Sequence, residues 1–165
     1  MKEQQIKTNA MRILETAGIE YSIHEYPHQG DEAVDGVTVA ALLNEAPEAV
    51  FKTLVTRGAS DPAKNFYVFC IPVGCELDMK AAARAVGERS VEMLHVKELR
   101  QITGYIRGGC SPVGMKKQFP TVIQEDAMLF DRIFVSGGKV GTQIELSPEE
   151  LLALIGGKYG DIVRQ

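Results

Sequence analysis

Residues 104–114 (GYIRGGCSPVG) contain four glycines and one proline, and this composition limits what the middle of the chain can form. Glycine loses more backbone entropy than other residues in a helix or strand, and proline has no N–H to donate in either. The sequence on both sides predicts ordered elements, so we expect a shaped loop and not a linker. A glycine-rich loop exposes N–H groups and lets a ligand approach the backbone. A tight connection between packed elements would need the same glycines, and this stretch alone does not decide.

The first half of the chain alternates between helical and strand-like patterns. A polar and acidic segment, residues 29–36, is predicted to be a surface loop, and we expect Thr38 to cap the helix after it. Residues 58–65 are typical of a turn, so the strands on either side of them are predicted to pair as a hairpin. The predicted elements are helices over residues 8–17 and 39–43 and strands over residues 21–26, 50–56 and 66–71.

The second half contains the same kinds of element. Asp78 can cap one helix, and Ser147 begins another because Pro148 and Glu150 follow it at the spacing of a capped helix start. Short strands interleaved with short helices predict an α+β fold. We expect a single domain over residues 1–165, in which helices flank a curved, mixed, barrel-like β-sheet. The predicted elements here are helices over residues 79–86, 96–102 and 149–155 and strands over residues 121–123, 132–136 and 142–146.

Composition and charge restrict the class of protein. The formal net charge of −4 argues against broad binding to phosphate backbones, although it permits contact with one short nucleic-acid end. No apolar run approaches the roughly 20 residues that a membrane helix needs. The polar start, residues 1–5, lacks the apolar core of a signal peptide. The three cysteines make an odd number and form no zinc-site pattern with histidine. We therefore expect a cytoplasmic protein with structural thiols and no metal.

Lys52 is the unusual residue of an otherwise apolar predicted strand. Strand alternation places Lys52 and Leu54 on one face, with their odd-numbered neighbours on the other. A lysine in such a setting either extends to the edge of the sheet or stands in a cleft. In a cleft it would bind a phosphate or carboxylate as a point charge.

Three other kinds of residue could carry chemistry. Cys110 lies in the glycine-rich loop, where exposed amides could lower its pKa, but no partner base stands at a recognisable spacing. The three histidines are scattered along the chain. Ser136 precedes Gly137 and Gly138, so it either donates into a site or serves the turn. Lys116 and Lys117 form a solvated face or contact a phosphate.

Five motifs occur in an order that resembles a known family. Together they closely resemble the YbaK/EbsC family of aminoacyl-tRNA deacylases, the free-standing relatives of the editing domain inserted in bacterial prolyl-tRNA synthetase. The resemblance runs from about Thr8 to Val163 and is strongest to the YbaK branch, which hydrolyses cysteinyl-tRNA(Pro). The motifs are HEY at residues 24–26, FKTL at 51–54, GYIRGGCSPVG at 104–114, VSGGK at 135–139 and ELSP at 145–148.

The resemblance implies roles for individual residues. Lys52 matches a strand lysine that contacts the tRNA 3′ end at the mouth of the substrate pocket. Gly108 and Pro112 match the family's G-x-x-x-P loop, whose N–H groups hold the aminoacyl moiety near the scissile carbonyl. Cys110 falls at a position that this pattern leaves free, which weakens its interpretation as a nucleophile. The implied catalytic residues are Lys52 and Gly108, and the implied substrate-binding residues are Tyr26, Thr53, Gly109, Cys110, Ser111, Pro112 and Ser136.

The function implied by the resemblance is trans-editing of mischarged Cys-tRNA(Pro), without a metal or organic cofactor. The substrate's own thiol would attack its carbonyl, and the protein would orient the substrate and stabilise the oxyanion. The implied partners are the 3′ aminoacyl-adenosine end of tRNA and prolyl-tRNA synthetase. Contact with that end alone is compatible with an acidic protein. Two alternatives stay open: an editor of Ala-tRNA(Pro) that uses water, and a noncatalytic module that binds tRNA ends or a synthetase.

Overall fold

The structure is a computed structural model that describes residues 7–164; the polar start of the chain, residues 1–5, lies outside the described residues. The α-helices are α1 (Asn9–Thr16), α2 (Gly36–Leu42), α3 (Met79–Val86), α4 (Val96–Thr103) and α5 (Pro148–Ile155). The strands are β1 (Tyr21–Glu25), β2 (Phe51–Gly58), β3 (Phe66–Pro72), β4 (Val91–Met93), β5 (Thr121–Gln124), β6 (Ile133–Ser136), β7 (Thr142–Leu146) and β8 (Lys158–Gly160). Two 3₁₀ turns, Pro47–Ala49 and Glu125–Leu129, precede β2 and β6.

Side-chain caps set where the helices begin. Asp78 accepts hydrogen bonds from the N–H groups of the first turn of α3, and Ser147 does the same for α5, as predicted. The cap predicted for α2 is wrong. Asp35 accepts from the N–H of Thr38, so α2 begins three residues earlier and Thr38 lies inside its first turn. In residues 7–164, no helix is long and apolar enough to cross a membrane.

The strands form two sheets. One has the order β4-β2-β3-β5-β8, and the other has the order β1-β7-β6. The predicted hairpin is confirmed, since β2 and β3 pair antiparallel with Thr53 opposite Cys70. β5 pairs with β3 in parallel, and β8 pairs with β5 in parallel, so the larger sheet is mixed. The α+β prediction is confirmed, although the sheets are not closed into a barrel.

The two sheets meet at the start of β2. Val50 forms a parallel bridge with Phe134 of β6, which ties the larger sheet to the smaller one. One core cluster joins the apolar face of α1 to residues of both sheets. Burying one large apolar side chain contributes about 1.5–3 kcal/mol, so this shared core fixes how the sheets sit against each other. Its largest fully buried members include Met11, Leu14, Phe51, Ile123, Ile133, Ile144 and Leu146.

A buried carboxylate fixes the turn between β2 and β3. Glu88 follows α3 and accepts hydrogen bonds from the N–H of Ser60 at 2.9 Å, from the Ser60 hydroxyl at 2.5 Å and from the Tyr67 hydroxyl at 2.6 Å. A side chain at Gly58 would overlap the Glu88 carboxylate, so the strand end, the turn and the end of α3 are packed as one unit. The bond to Glu88, together with partial burial, raises the pKa of Tyr67 to about 12.

We expect Glu88→Gln to lower the free energy of unfolding at pH 7 and to weaken its dependence on acid. The Ser60 and Tyr67 hydroxyls and the Ser60 N–H hold the pKa of Glu88 below its ordinary value of 4.5. The resulting stabilisation is fully present above pH 4.5 and is lost as the pH falls through the lower pKa of the folded state. Urea unfolding between about pH 7 and pH 3 measures both effects.

The matched control is Glu48→Gln, because Glu48 is exposed in the 3₁₀ turn before β2. This variant should unfold like the wild type at every pH. Unchanged acid dependence in Glu88→Gln would show that Glu88 does not stabilise the turn through its charge.

Candidate active site

A cavity of about 660 Å³ opens where the two sheets meet. Its walls come from residues 32–36 at the start of α2, residues 50–54 of β2, and the glycine loop, which we define as residues 104–114. The remaining lining residues are Tyr26 after β1, Val39 of α2, Val73 after β3, Ser136 at the end of β6 and Gln143 on β7. The size lies within the range of about 300–1,000 Å³ that is usual for small-molecule sites.

The structure brings most of the sequence-predicted site residues to this one cavity. Gly109, Ser111 and Pro112 are buried within the glycine loop and do not line the cavity. Lys116 and Lys117 also lie outside the lining, and the Lys116 ammonium donates to the Gln101 carbonyl at 3.2 Å. The predicted residues that line the cavity are Tyr26, Lys52, Thr53, Gly108, Cys110 and Ser136.

Lys52 brings an unpaired positive charge to the cavity wall. Its side chain is half-buried, and within the part of the chain that the structure describes it has no hydrogen bond or ion pair. Phe51 packs in the core cluster beneath α1, whereas Leu54 packs in the second cluster against β3, as strand alternation predicts. Of the two interpretations of Lys52, its place in the cavity favours a cleft lysine that is available to an anion.

Thr53 lies where β2 has an open edge. β4 pairs with β2 only at Thr56–Gly58, and the N–H of Leu94 donates to the carbonyl of Val55 at 3.1 Å. In an antiparallel strand the N–H and C=O groups of alternate residues point to the same edge. The N–H and C=O groups of Thr53 therefore point to the same edge of β2 as those of Val55. β4 covers this edge at Val55 but does not reach Thr53. This adds one donor and one acceptor to the cavity wall.

Backbone packing explains two of the glycines in the glycine loop. Gly108 has φ +86°, and a Cβ there would lie 3.0 Å from both the Cα and the Cβ of Ala33. A Cβ on Gly109 would lie 2.9 Å from the Cα of Lys139. The loop is thus packed between the segment before α2 and the turn after β6. These contacts are those of a tight connection between packed elements, which was one of the two explanations for the glycines. The same loop also lines the cavity through Gly108.

The glycine loop also offers unused donors. The N–H groups of Gly108, Cys110 and Ser111 have no acceptor within the described residues, whereas the N–H of Gly109 donates to the carbonyl of Ile106 at 2.9 Å. The loop is held from behind, because the Tyr105 hydroxyl donates to the Val113 carbonyl at 2.6 Å. Preorganised N–H groups of this kind can stabilise negative charge on a ligand oxygen.

Ser136 has the turn role considered for it, and it also lines the cavity. Its Oγ accepts from the N–H of Gly138 at 3.3 Å, so it stabilises the turn after β6. This bond uses the oxygen and leaves the hydroxyl proton to donate into the cavity that Ser136 lines. The Thr53 hydroxyl already has a hydrogen-bond partner on the neighbouring strand, because its Oγ1 lies 3.8 Å from the Cys70 sulfur.

Cys110 lacks the features of a nucleophile. Burial, with the neighbouring Cys70 thiol, raises its pKa to about 12, so the thiol is neutral near pH 7. Within residues 7–164, no histidine lines the cavity: His24 pairs with Glu145 at 3.0 Å, and His28 bonds to the Gly30 carbonyl at 2.7 Å. Across residues 7–164, no cluster of three His, Cys, Asp or Glu side chains could hold a metal ion.

Four further polar residues line the cavity and were not assigned a role from the sequence: Glu32, Asp35, Arg107 and Gln143. Arg107 lies within the glycine motif and next to Gly108, so its sequence position could have identified it as a site candidate. Glu32 and Asp35 belong to a segment that reads only as a polar loop. Gln143 gave no signal, because one amide in an alternating strand is typical of any half-buried sheet.

The chain is similar to known proteins over most of its length. Residues 31–154 match the family model described as the aminoacyl-tRNA editing domain. The chain is also 47% identical over 162 residues to a protein of Enterococcus faecalis provisionally named Cys-tRNA(Pro)/Cys-tRNA(Cys) deacylase EbsC. That alignment covers 98% of this chain and 96% of the relative.

Two solved structures share the fold over nearly all of their length. One, described provisionally as a trans-editing enzyme for prolyl-tRNA synthetase, is 26% identical with a TM-score of 0.81, covering 98% of this chain and 100% of that chain. The other, a hypothetical protein, is 22% identical with a TM-score of 0.83, covering 95% of this chain and 100% of that chain. The second likeness concerns the fold alone.

We expect Gly108→Ala to destabilise the protein more than Gly18→Ala does. Both glycines have positive φ, +86° and +72°, but a Cβ on Gly18 meets nothing within 4 Å, whereas one on Gly108 meets Ala33. The backbone strain should cost about 1 kcal/mol in each variant, and the contact should add about another 1 kcal/mol in Gly108→Ala. Urea unfolding of both variants measures the difference. Equal losses would mean that the loop moves away from Ala33 without cost.

Proposed function

Because the chain belongs to the aminoacyl-tRNA editing domain family, we propose that it is a trans-editing deacylase that cleaves the ester of mischarged Cys-tRNA(Pro). The resemblance read from the sequence motifs is confirmed by the family model and by the near full-length relative. That relative is named for action on Cys-tRNA(Pro) and Cys-tRNA(Cys), so cysteine is the amino acid we assign to the substrate of this chain. We take residues 1–165 to act as one editing domain.

The observation that carries this proposal is the joint presence of an unpaired lysine and unused loop N–H groups in one cavity. When the aminoacyl end of a tRNA enters such a cavity, its phosphates lie at the mouth and its ester carbonyl lies deeper. Lys52 suits the first as a point charge, and the N–H groups of the glycine loop suit the second. Arg107, which lines the cavity beside Gly108, gives the phosphates a second cation.

The proposed chemistry uses the substrate's own sulfur. The cysteine thiol attacks the ester carbonyl carbon, the C–O bond to the terminal ribose breaks, and the thiol proton passes to the departing ribose oxygen. The products are a cysteine thiolactone and free tRNA. A thiol tethered beside its carbonyl has a high effective concentration, so the protein need only fix the reactive conformation and bind the developing oxyanion.

The surroundings of the cavity agree with this division of work. Cys110 is a neutral buried thiol, and the histidines lie elsewhere, so neither supplies a nucleophile–base pair. In our proposal the N–H groups of Gly108 and Cys110, the two loop residues with unused donors that line the cavity, bind the oxyanion, and Ser136 donates to the substrate. The chemistry requires no metal or organic cofactor.

The physical need for such an editor is a problem of size. Proline and cysteine are similar in volume, and one pocket discriminates poorly between small side chains of nearly equal size. The net charge of −4 favours weak binding to tRNA alone. We therefore propose that prolyl-tRNA synthetase is the partner that supplies tRNA selection, and that the protein works in the cytoplasm, where tRNA is charged.

We expect Lys52→Ala to lower kcat/KM for deacylation of Cys-tRNA(Pro) by about a hundredfold, because a charged contact to the tRNA end is lost. Its free energy of unfolding should change by less than about 0.5 kcal/mol, since Lys52 has no ion pair in the described residues. Lys64→Ala, in the exposed turn after β2, is the matched control and should retain full activity. A folded Lys52→Ala protein with wild-type turnover would remove Lys52 from the site.

The source of the nucleophile can be tested separately. Cys110→Ala should keep most of the activity on Cys-tRNA(Pro), because the Cys110 thiol is neutral and outside the proposed reaction. Ser-tRNA(Pro) should be cleaved at least about a hundredfold more slowly, because a hydroxyl is a far poorer nucleophile than a thiol. Single-turnover assays of both substrates with both proteins measure this.

Each opposite result has a defined meaning. A folded but inactive Cys110→Ala protein would return the nucleophile to the enzyme. Fast cleavage of the serine ester would make water the attacker and favour the alternative of an editor of Ala-tRNA(Pro). Absence of cleavage with every substrate would leave a module that binds tRNA ends or a synthetase.

A further inference from the structure

Gln143 lies in the cavity wall with one polar atom unsatisfied. It belongs to β7, lines the cavity, and is only 6% exposed. Its Oε1 is buried and has no hydrogen-bond partner. Among buried side-chain atoms of residues 7–164, only the Tyr159 hydroxyl shares this condition.

Gln124 shows what a structural glutamine looks like in the same protein. It is 2% exposed, and its Nε2 donates to Asp126 at 2.7 Å and to Asp161 at 3.1 Å. Its Oε1 accepts from the N–H of Ile162 at 2.7 Å. Buried side-chain amides are normally satisfied in this way, and an unsatisfied one destabilises the fold. Gln143, in contrast, makes no hydrogen bond through either end of its amide within residues 7–164, so the end that faces the cavity is available to a ligand.

The position of Gln143 indicates which part of a ligand it meets. The lining residues that are most buried and carry a polar side-chain atom are Tyr26, Gln143, Cys110 and Ser136, which are 5%, 6%, 7% and 8% exposed. Glu32, Asp35 and Arg107 are exposed and form the outer part. A small aminoacyl group fits the inner part, while the nucleotide occupies the outer part. An acceptor in the inner part requires a donor, and the strongest donor on an aminoacyl group is its α-ammonium.

We propose that Gln143 Oε1 accepts a hydrogen bond from the α-ammonium of the aminoacyl group and so selects esters that carry a free amino group. Oxygen and nitrogen of the amide exchange by a half-turn about its terminal bond, and either orientation leaves one end buried without a partner; in the proposed complex the oxygen is the end that faces the cavity. The inference rests on the proposed function.

The test compares two esters that differ only in the amino group. Cys-tRNA(Pro) carries it, and 3-mercaptopropionyl-tRNA(Pro) keeps the thiol but lacks it. Each kcat/KM is divided by the uncatalysed hydrolysis rate of the same ester. The wild type should prefer Cys-tRNA(Pro) by about tenfold to a hundredfold, the usual strength of a hydrogen bond to a charged group.

Two variants separate the acceptor from the side-chain volume. Gln143→Met removes both polar atoms at similar size and should cleave the two esters with equal corrected kcat/KM. Gln143→Glu keeps an acceptor and loses the donor, so it should keep the preference for Cys-tRNA(Pro). A Gln143→Met protein that retains the wild-type preference would overturn the inference, as would loss of the preference in Gln143→Glu.

The unfolding temperature distinguishes a ligand-binding glutamine from a structural one. Gln143→Met should unfold at the wild-type temperature or roughly 2–4 °C higher, because an unsatisfied buried atom is removed. Gln124→Met, the matched control, should unfold at a lower temperature and keep the wild-type preference between the esters. Equal destabilisation by both substitutions would make Gln143 a structural residue and overturn the inference. A wild-type protein inactive on Cys-tRNA(Pro) would overturn the proposed function itself.

Discussion

Close backbone packing of the glycine loop against two other segments is the constraint on which the site depends. Gly108 meets Ala33 of the segment before α2, and Gly109 meets the backbone of Lys139 in the turn after β6. A side chain at either glycine would separate surfaces that now touch. The Tyr105–Val113 hydrogen bond also holds the loop, so the unused N–H groups of Gly108 and Cys110 are fixed before any ligand arrives. The packing that holds the glycine loop in place thus also prepares the cavity wall.

Electrostatics in the cavity favour binding and orientation over acid–base chemistry. Lys52 has no counter-ion within the described residues, and the Cys110 thiol is neutral because burial raises its pKa to about 12. The histidines form their hydrogen bonds away from the cavity or at the surface. An enzyme that positions a substrate carrying its own nucleophile needs fixed donors and cations for the phosphates, and it needs no nucleophile–base pair of its own. The same arrangement explains how an acidic protein can act on the end of a nucleic acid.

Local sequence signals predicted most of the fold because they act over a few residues. Capping at Asp78 and Ser147 and the β2–β3 hairpin depend on short-range chemistry, and all three were predicted correctly. β4 and β8 were missed because each has three residues and exists only through pairing with a distant strand. Lys52 and Gly108 could be selected as site candidates from composition and motif. Gln143 could not be selected in this way, because the absence of hydrogen-bond partners around its amide is a property of the folded structure.

The most direct test of this account is a structure of the protein with a cysteinyl-adenosine analogue in which an amide replaces the labile ester. The account predicts that the analogue occupies the cavity between the two sheets. Its carbonyl oxygen should lie within about 3 Å of the N–H groups of the glycine loop, and its adenosine should lie on the side of Lys52. Binding outside this cavity, or in it with the carbonyl turned away from the glycine loop, would contradict the account.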